Sequence, residues 1–80
     1  MRLDKYLKNS RIIKRRTIAK EACDKGRVFL NGKTAKAGTE VKVGDIVEIF
    51  FGDKSLKIQI TQLQDHARKD TAKEMFSLLD

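Results

Sequence analysis

The sequence has one cysteine, one histidine and no proline or tryptophan among its 80 residues. A lone cysteine cannot form an intramolecular disulfide, and the single cysteine and histidine cannot supply the ligand set of a zinc site. Nothing therefore points to an oxidising compartment. We expect no metal, and the cytoplasm is the default location.

Long apolar runs are also missing. Lys5, Lys8 and Arg11 interrupt the stretch in which a secretory leader would need its apolar core. No segment reaches the apolar length that crosses a bilayer. We expect neither a leader nor a membrane-spanning segment.

The sequence also offers few candidates for a catalytic nucleophile, a general base or a metal ligand. The helical spacing around Cys23 places it on an inward stripe, while His66 lies in a polar stretch, and no Gly-rich phosphate loop is present. Aromatic residues are few, and the positions of Tyr6 and Phe29 favour core packing over stacking on bases. We therefore expect a protein that is not an enzyme and needs no cofactor.

Positive charge is what the chain has in excess. It carries 18 Lys and Arg against 11 Asp and Glu, a formal net charge of +7. Residues 1–40 hold 12 of these basic residues against 4 acidic ones, and seven of the fifteen residues from Arg2 to Arg16 are basic. Such a cluster indicates a polyanionic partner, and charge alone leaves RNA, DNA and an anionic membrane open.

Two short helices are predicted in this basic half. Leu3, Tyr6 and Leu7 form an apolar stripe at helical spacing, and Asp4 suits the first turn, where it favours the helix dipole and can pair with Lys8. A second helix is expected between an N-cap at Thr17 and a C′ glycine at Gly26. Its inward stripe would be Ile18, Ala19, Ala22 and Cys23.

A small antiparallel sheet is predicted next. Asn31-Gly32 suits the two positive-φ positions of a type I′ hairpin turn. The mostly apolar residues 46–51 predict a buried strand. Residues 56–60 alternate between apolar and polar side chains, which predicts a strand with one face in water.

The last segment is predicted to be a polar linker, residues 64–69, followed by a short helix. Thr71 and Glu74 have capping-box spacing, and Ala72, Met75, Phe76 and Leu79 recur at helical intervals. The expected organisation is α+β: two helices and a small sheet over residues 1–63, then a linker and a C-terminal helix over 64–80.

The candidate polyanion-binding residues are the cations around the two helices. We expect arginine guanidinium groups to bind phosphate oxygens through paired hydrogen bonds. The candidates are Arg2, Arg11, Lys14, Arg15 and Arg16, then Lys20, with Lys33 and Lys36 beyond the hairpin turn widening the surface.

Five separated motifs, in this order, resemble the S4-type RNA-binding domain family. They are RLDKYL at residues 2–7, SRIIKRRTIA at 10–19, GRV at 26–28, NGK at 31–33 and VGDIV at 43–47. The resemblance implies an L-shaped RNA-binding motif of two helices followed by a small sheet. It also implies that Arg2 and Arg16 touch RNA and that Asp4 orients Arg2.

Within that family, the chain is similar to the small bacterial ribosome-associated quality control proteins called RqcP. This likeness implies a monomer when free that binds the rRNA of stalled large subunits together with peptidyl-tRNA. It also implies cooperation with the Rqc2-type elongation factor that adds C-terminal alanine tails. A heat-shock or assembly factor of the large subunit is the alternative from the same family. Two short basic helices also leave a DNA-binding helix-turn-helix regulator open, as well as a protein-interaction module.

Overall fold

A computed structural model describes residues 1–66 and 68–79. Over these residues the chain forms two α-helices and then five strands. The helices are α1 (Leu3–Asn9) and α2 (Arg16–Asp24); the strands are β1 (Val28–Leu30), β2 (Lys33–Thr34), β3 (Ile46–Phe51), β4 (Lys54–Ile60) and β5 (Phe76–Leu79). Every strand pairing is antiparallel, in the order β2-β1-β3-β4-β5. The predicted α+β fold is thus confirmed. No helix of the described residues is long and apolar enough to span a bilayer.

Helix α1 is amphipathic as predicted, with Leu3, Tyr6 and Leu7 fully buried. The phenol of Tyr6 donates a 2.8 Å hydrogen bond to the backbone carbonyl of Met75, which lies just before β5. A buried phenol needs such a partner, because an unpaired polar group inside a core is costly. This bond joins the first helix to the last strand.

Helix α2 ends in a Schellman motif. Gly26 has φ +72° at the C′ position, where its N–H donates to the Cys23 carbonyl, and the Arg27 N–H donates to the Ala22 carbonyl. The predicted C-terminal end is therefore correct. The predicted start is wrong: the helix begins at Arg16 with Arg15 as its N-cap, so Thr17 lies within the first turn.

The predicted inward stripe of α2 is partly wrong. Ala19 and Cys23 are buried, but Ile18 is 48% exposed and Ala22 is half-buried. The small side chain of Ala19 takes the innermost position next to α1, which turns Ile18 toward solvent.

The hairpin prediction is confirmed, with φ +52° at Asn31 and +85° at Gly32. The Asn31 side chain also accepts the Ile46 N–H at 2.9 Å, which ties the turn to the start of β3. The interior half of β3 is buried as predicted at Val47 and Ile49. Phe50 and Phe51 are exposed at its far end, against the prediction of a fully buried strand.

The C-terminal helix is the main correction. Residues Ala72–Met75 form a single 3₁₀ turn, and Phe76–Leu79 form β5 along the edge of β4. The free edge of β4 offers unpaired backbone N–H and C=O groups to a further strand. Pairing with this edge stabilises the segment more than a helix would, because so short a helix is only marginally stable. Thr71 precedes the 3₁₀ turn, but its side chain makes no capping hydrogen bond; its hydroxyl exchanges hydrogen bonds with the backbone of Arg68. Ala67 and Asp80, which belong to the predicted linker and terminal segment, lie outside the described residues.

One core joins the helices to one face of the sheet. The pairs Val28–Ile49 and Val47–Ile58 stand opposite each other in the ladder and are fully buried, as are the apolar residues of α1. This packing fixes the starts of both helices beside each other, which places the basic side chains described next.

Candidate nucleic-acid interface

The start of α1 is anchored by the loop that precedes β3. The Leu3 and Asp4 N–H groups, which α1 cannot satisfy internally, donate to the carbonyls of Thr39 and Ala37 at 2.8 and 3.1 Å. The Met1 amino group forms a 2.8 Å ion pair with Glu40 and thereby lowers the pKa of that carboxyl. The backbone of Arg2 is therefore fixed from both sides.

Asp4 is the centre of the site. Its carboxylate is only 4% exposed, and it accepts hydrogen bonds from Arg2 Nε at 3.2 Å, Arg2 Nη2 at 3.3 Å and the Lys5 N–H at 2.8 Å. Arg16 Nε lies 3.4 Å from Oδ2. The predicted pairing with Lys8 is replaced by these contacts, because α2 brings Arg16 to the carboxylate. A buried charge requires such partners.

The two arginines keep much of their surface in solvent. The Arg2 side chain is 50% exposed and the Arg16 side chain 48% exposed. Each uses Nε toward Asp4, and Arg guanidinium groups carry five donors. Each arginine therefore has donors left for an anion, while Asp4 sets their orientation.

A groove beside this cluster gathers further cations. It runs between α2 and the segment after β2, and its lining includes Arg2, Lys20 and Lys36 together with Asp24. Gly38 approaches the Arg2 guanidinium, and a Cβ at this position would lie 3.7 Å from Nη2. The structure thus brings Arg2, Lys20 and Lys36 together and joins Arg16 to them through Asp4.

The remaining predicted residues lie elsewhere. Arg11 and Lys14 line a second groove with Lys8 and Lys69. Arg15 borders a shallow depression with Lys14, Ile13 and Ile18, and Lys33 lies on β2, away from these grooves. Lys8 and Lys69 are not among the predicted binding residues, because nothing local in the sequence places residue 69 beside α1.

The groups suited to nucleophilic chemistry are buried. Burial raises the pKa of Cys23 to about 11, and the charges of Asp4 and Asp24 add to the shift. Burial also raises the pKa of Tyr6 above its usual range. Among the residues that the structure describes, no three His, Cys, Asp or Glu side chains are grouped to hold a metal ion.

A family model and several curated relatives match this chain and agree on its family. The S4 domain family model matches residues 1–47. RQC P-site tRNA stabilizing factors are 56% identical in Listeria innocua, over 99% of this chain and 86% of that protein, and 49% identical in Bacillus subtilis, over 99% and 92%. The Heat shock protein 15 homolog of Haemophilus influenzae is 37% identical over 85% of this chain and 52% of that protein.

Two solved structures share the whole fold. The trimeric Heat Shock Protein 15 of Vibrio cholerae has a TM-score of 0.91 and 29% identity, covering 99% of this chain and 81% of that one. The solution structure of the hypothetical protein HP1423 has a TM-score of 0.81 and 35% identity, covering 100% and 98%. The chain therefore belongs to the S4 domain family and, within it, to the RqcP group of RQC P-site tRNA stabilizing factors.

Proposed function

We propose that the chain is a non-enzymatic RNA-binding factor of the large ribosomal subunit. It would act in ribosome-associated quality control, where it binds rRNA together with peptidyl-tRNA. The observation that supports this most directly is the Arg2–Asp4–Arg16 cluster. A buried carboxylate holds two half-exposed guanidinium groups at the start of both helices.

The chemistry of this cluster suits a phosphate backbone. Asp4 neutralises only part of the charge of two arginines, so the cluster keeps a net positive charge. Fixed guanidinium groups bind phosphate oxygens through paired hydrogen bonds and lose little conformational freedom on binding. Lys20 and Lys36 extend the same surface along the groove beside Arg2. We propose that the RNA backbone follows this surface.

The quality-control assignment rests on the relatives named above, which cover nearly the whole chain. We propose that binding stabilises the tRNA in the P site and so supports C-terminal alanine tailing by an Rqc2-type elongation factor. The factor would therefore work in the cytoplasm on the ribosome, as a monomer before it binds.

The test is co-sedimentation with purified large subunits, with and without P-site peptidyl-tRNA. Wild type should bind more tightly when the tRNA is present, and Arg16→Gln should weaken binding to both particles. Lys57→Gln is the matched control, since it removes one exposed charge on β4, outside the candidate grooves. If wild type does not sediment with either particle, or if Arg16→Gln behaves like Lys57→Gln, the proposal is wrong.

A second candidate is supported by the Heat Shock Protein 15 structure, which matches this fold at a TM-score of 0.91. A heat-shock or assembly factor of the large subunit that makes no contact with tRNA would bind the subunit equally well with and without tRNA. The same sedimentation experiment separates the two functions. A DNA-binding regulator would instead bind neither particle and would bind duplex DNA in a gel-shift assay.

A further inference from the structure

The second basic groove lies at the opposite end of α1 from the Asp4 cluster. It is lined by Lys8, Arg11, Lys14 and Lys69, which come from the end of α1, the link between the helices and the segment before β5. Arg2 and Lys8 are six residues apart, which places them about 9 Å apart along the helix axis. The two grooves have no lining residue in common.

Specific contacts hold Gln64 and Asp65, which precede Lys69 in the chain, against α1. The buried side chain of Asn9 donates to the carbonyls of Gln64 and Asp65 at 2.8 and 3.0 Å. Lys5 pairs with Asp65 at 3.1 Å, which lowers the pKa of that carboxyl. The turn of residues 68–71, closed by the Thr71 hydroxyl, then follows. The fold thus fixes the segment that carries Lys69 against the end of α1.

Arg11 has a backbone conformation that would suit glycine. It is the C′ residue of α1, its N–H donates to the Lys8 carbonyl at 3.0 Å, and its φ is +64°. At the equivalent position of α2 the chain has Gly26. A non-glycine residue pays a steric cost in this region. Backbone geometry therefore gives no reason for an arginine at this position, and glycine can replace Arg11 without backbone strain.

The cations of this groove form no ion pairs in the described part of the chain, although Asp70 lines an adjoining cavity with Arg11 and Lys69. Within residues 1–66 and 68–79, none of its four cations forms an ion pair with a carboxylate, unlike Arg2, Lys5 and Arg16. Four like charges on one groove repel each other. An anion that lies along the groove would relieve this repulsion.

We propose that Lys8, Arg11, Lys14 and Lys69 form a second phosphate-binding groove, which binds RNA backbone separately from the Arg2–Asp4–Arg16 cluster. This inference rests on the proposed function, since it assigns a further contact to the same RNA-binding factor. The protein then binds RNA at both ends of α1, and the two contacts contribute to the affinity independently.

The first test uses Arg11→Gly in a salt titration of binding to large subunits that carry peptidyl-tRNA. Glycine adopts a positive φ without the steric cost that arginine bears, so the Tm should be unchanged or higher. Affinity should nevertheless fall, and the slope of log affinity against log salt should become shallower by about 0.7 to 0.9, because one phosphate fewer is neutralised. An affinity and slope equal to those of wild type would overturn the proposal.

The second test neutralises two other cations of the groove. Lys14→Gln/Lys69→Gln should make the slope shallower by about 1.4 to 1.8, while Lys54→Gln/Lys57→Gln, the control with the same charge change on β4, should have little effect. If the two double variants change the slope equally, the net charge of the protein alone explains the attraction and the proposed groove is wrong. Arg16→Gln serves as the reference. If it weakens binding while the groove variants match their control, the proposed function stands and this inference fails.

A repeat on subunits without tRNA identifies the RNA in the groove. If the groove variants weaken binding only when tRNA is present, the groove binds the tRNA backbone. If they weaken binding to both particles equally, it binds rRNA. Either result supports the groove.

Discussion

Arg2 donates to both carboxylate oxygens of Asp4, through Nε to Oδ1 at 3.2 Å and through Nη2 to Oδ2 at 3.3 Å. The same Oδ2 lies 3.4 Å from Arg16 Nε. One buried side chain thereby sets the direction of two cations that are fourteen positions apart in the chain. The arginines that Asp4 positions thus explain why an acidic residue lies in the proposed RNA-binding surface.

Asp4→Asn should lower RNA affinity although it raises the net charge by one. The amide would present a donor toward Arg2 or Arg16 and would lack the charge that holds both. We expect a free energy of unfolding lower by about 1 to 3 kcal/mol. Filter binding should be measured at a temperature where circular dichroism shows a folded chain. Asp53→Asn, in the exposed turn after β3, makes the same charge change and should leave binding equal or slightly tighter. If Asp4→Asn and Asp53→Asn both bind RNA more tightly than wild type, Asp4 does not position the arginines for binding.

Arg2→Ala and Arg16→Ala should each weaken ribosome binding with only a small loss of stability. Both side chains are about half exposed, and each variant leaves the buried Asp4 carboxylate with the other arginine and the Lys5 N–H as partners. The loss should therefore be about 1 kcal/mol or less. Thermal unfolding followed by circular dichroism gives the Tm, and sedimentation gives the binding. A large fall in Tm would instead make these arginines structural.

Tyr6→Phe should cost stability without affecting RNA binding. The substitution removes only the hydroxyl, and the Met75 carbonyl still accepts the N–H groups of Thr61 and Gln62. The cost should therefore be that of one hydrogen bond, about 0.5 to 1.5 kcal/mol. Urea unfolding measures this value, and an unchanged affinity for large subunits would show that the Tyr6 hydroxyl makes no contact with RNA. A loss of affinity in a variant that remains folded would give Tyr6 a direct binding role.

Stability should fall in alkaline solution because of Cys23. The folded chain raises the pKa of this thiol from 9.0 to about 11, so the folded state retains a proton that the unfolded state releases. The stabilising contribution is complete below pH 9 and is lost as the pH rises toward 11. Between pH 8.5 and 10.5, wild type should lose roughly 1 to 2 kcal/mol more than Cys23→Ala. Urea unfolding at several pH values tests this. Tyr6 titrates in the same direction in both proteins, so equal losses would exclude a contribution from Cys23.

Local sequence signals predicted much of this fold. Asn31-Gly32 specifies its hairpin because both residues tolerate positive φ, and Gly26 ends α2 for the same reason. The apolar stripe of α1 was equally clear, since three large side chains share one face. In each case the information lies within a few residues of the element.

The errors arose where distant contacts decide the structure. Leu78 is 68% exposed on β5, and β5 forms because β4 has a free edge, which no pattern in residues 71–79 reveals. Ile18 faces solvent because the position of α1 favours the smaller Ala19 at the core. The candidate site was affected in the same way. The sequence indicated the basic residues, but only the fold distinguishes the Asp4 cluster from the groove that Lys69 completes.

The bond from Tyr6 to Met75 also constrains the order of events during synthesis. The two residues are 69 positions apart, and translation at about 5 to 20 residues per second separates them by roughly 3 to 14 s. During that interval α1 lacks both the hydrogen-bond acceptor of its buried phenol and the apolar side chain of Met75. A nascent chain can thus expose all of its helical cations before its core is complete, and the proposed RNA-binding surface reaches its final structure only when the last strand has been made.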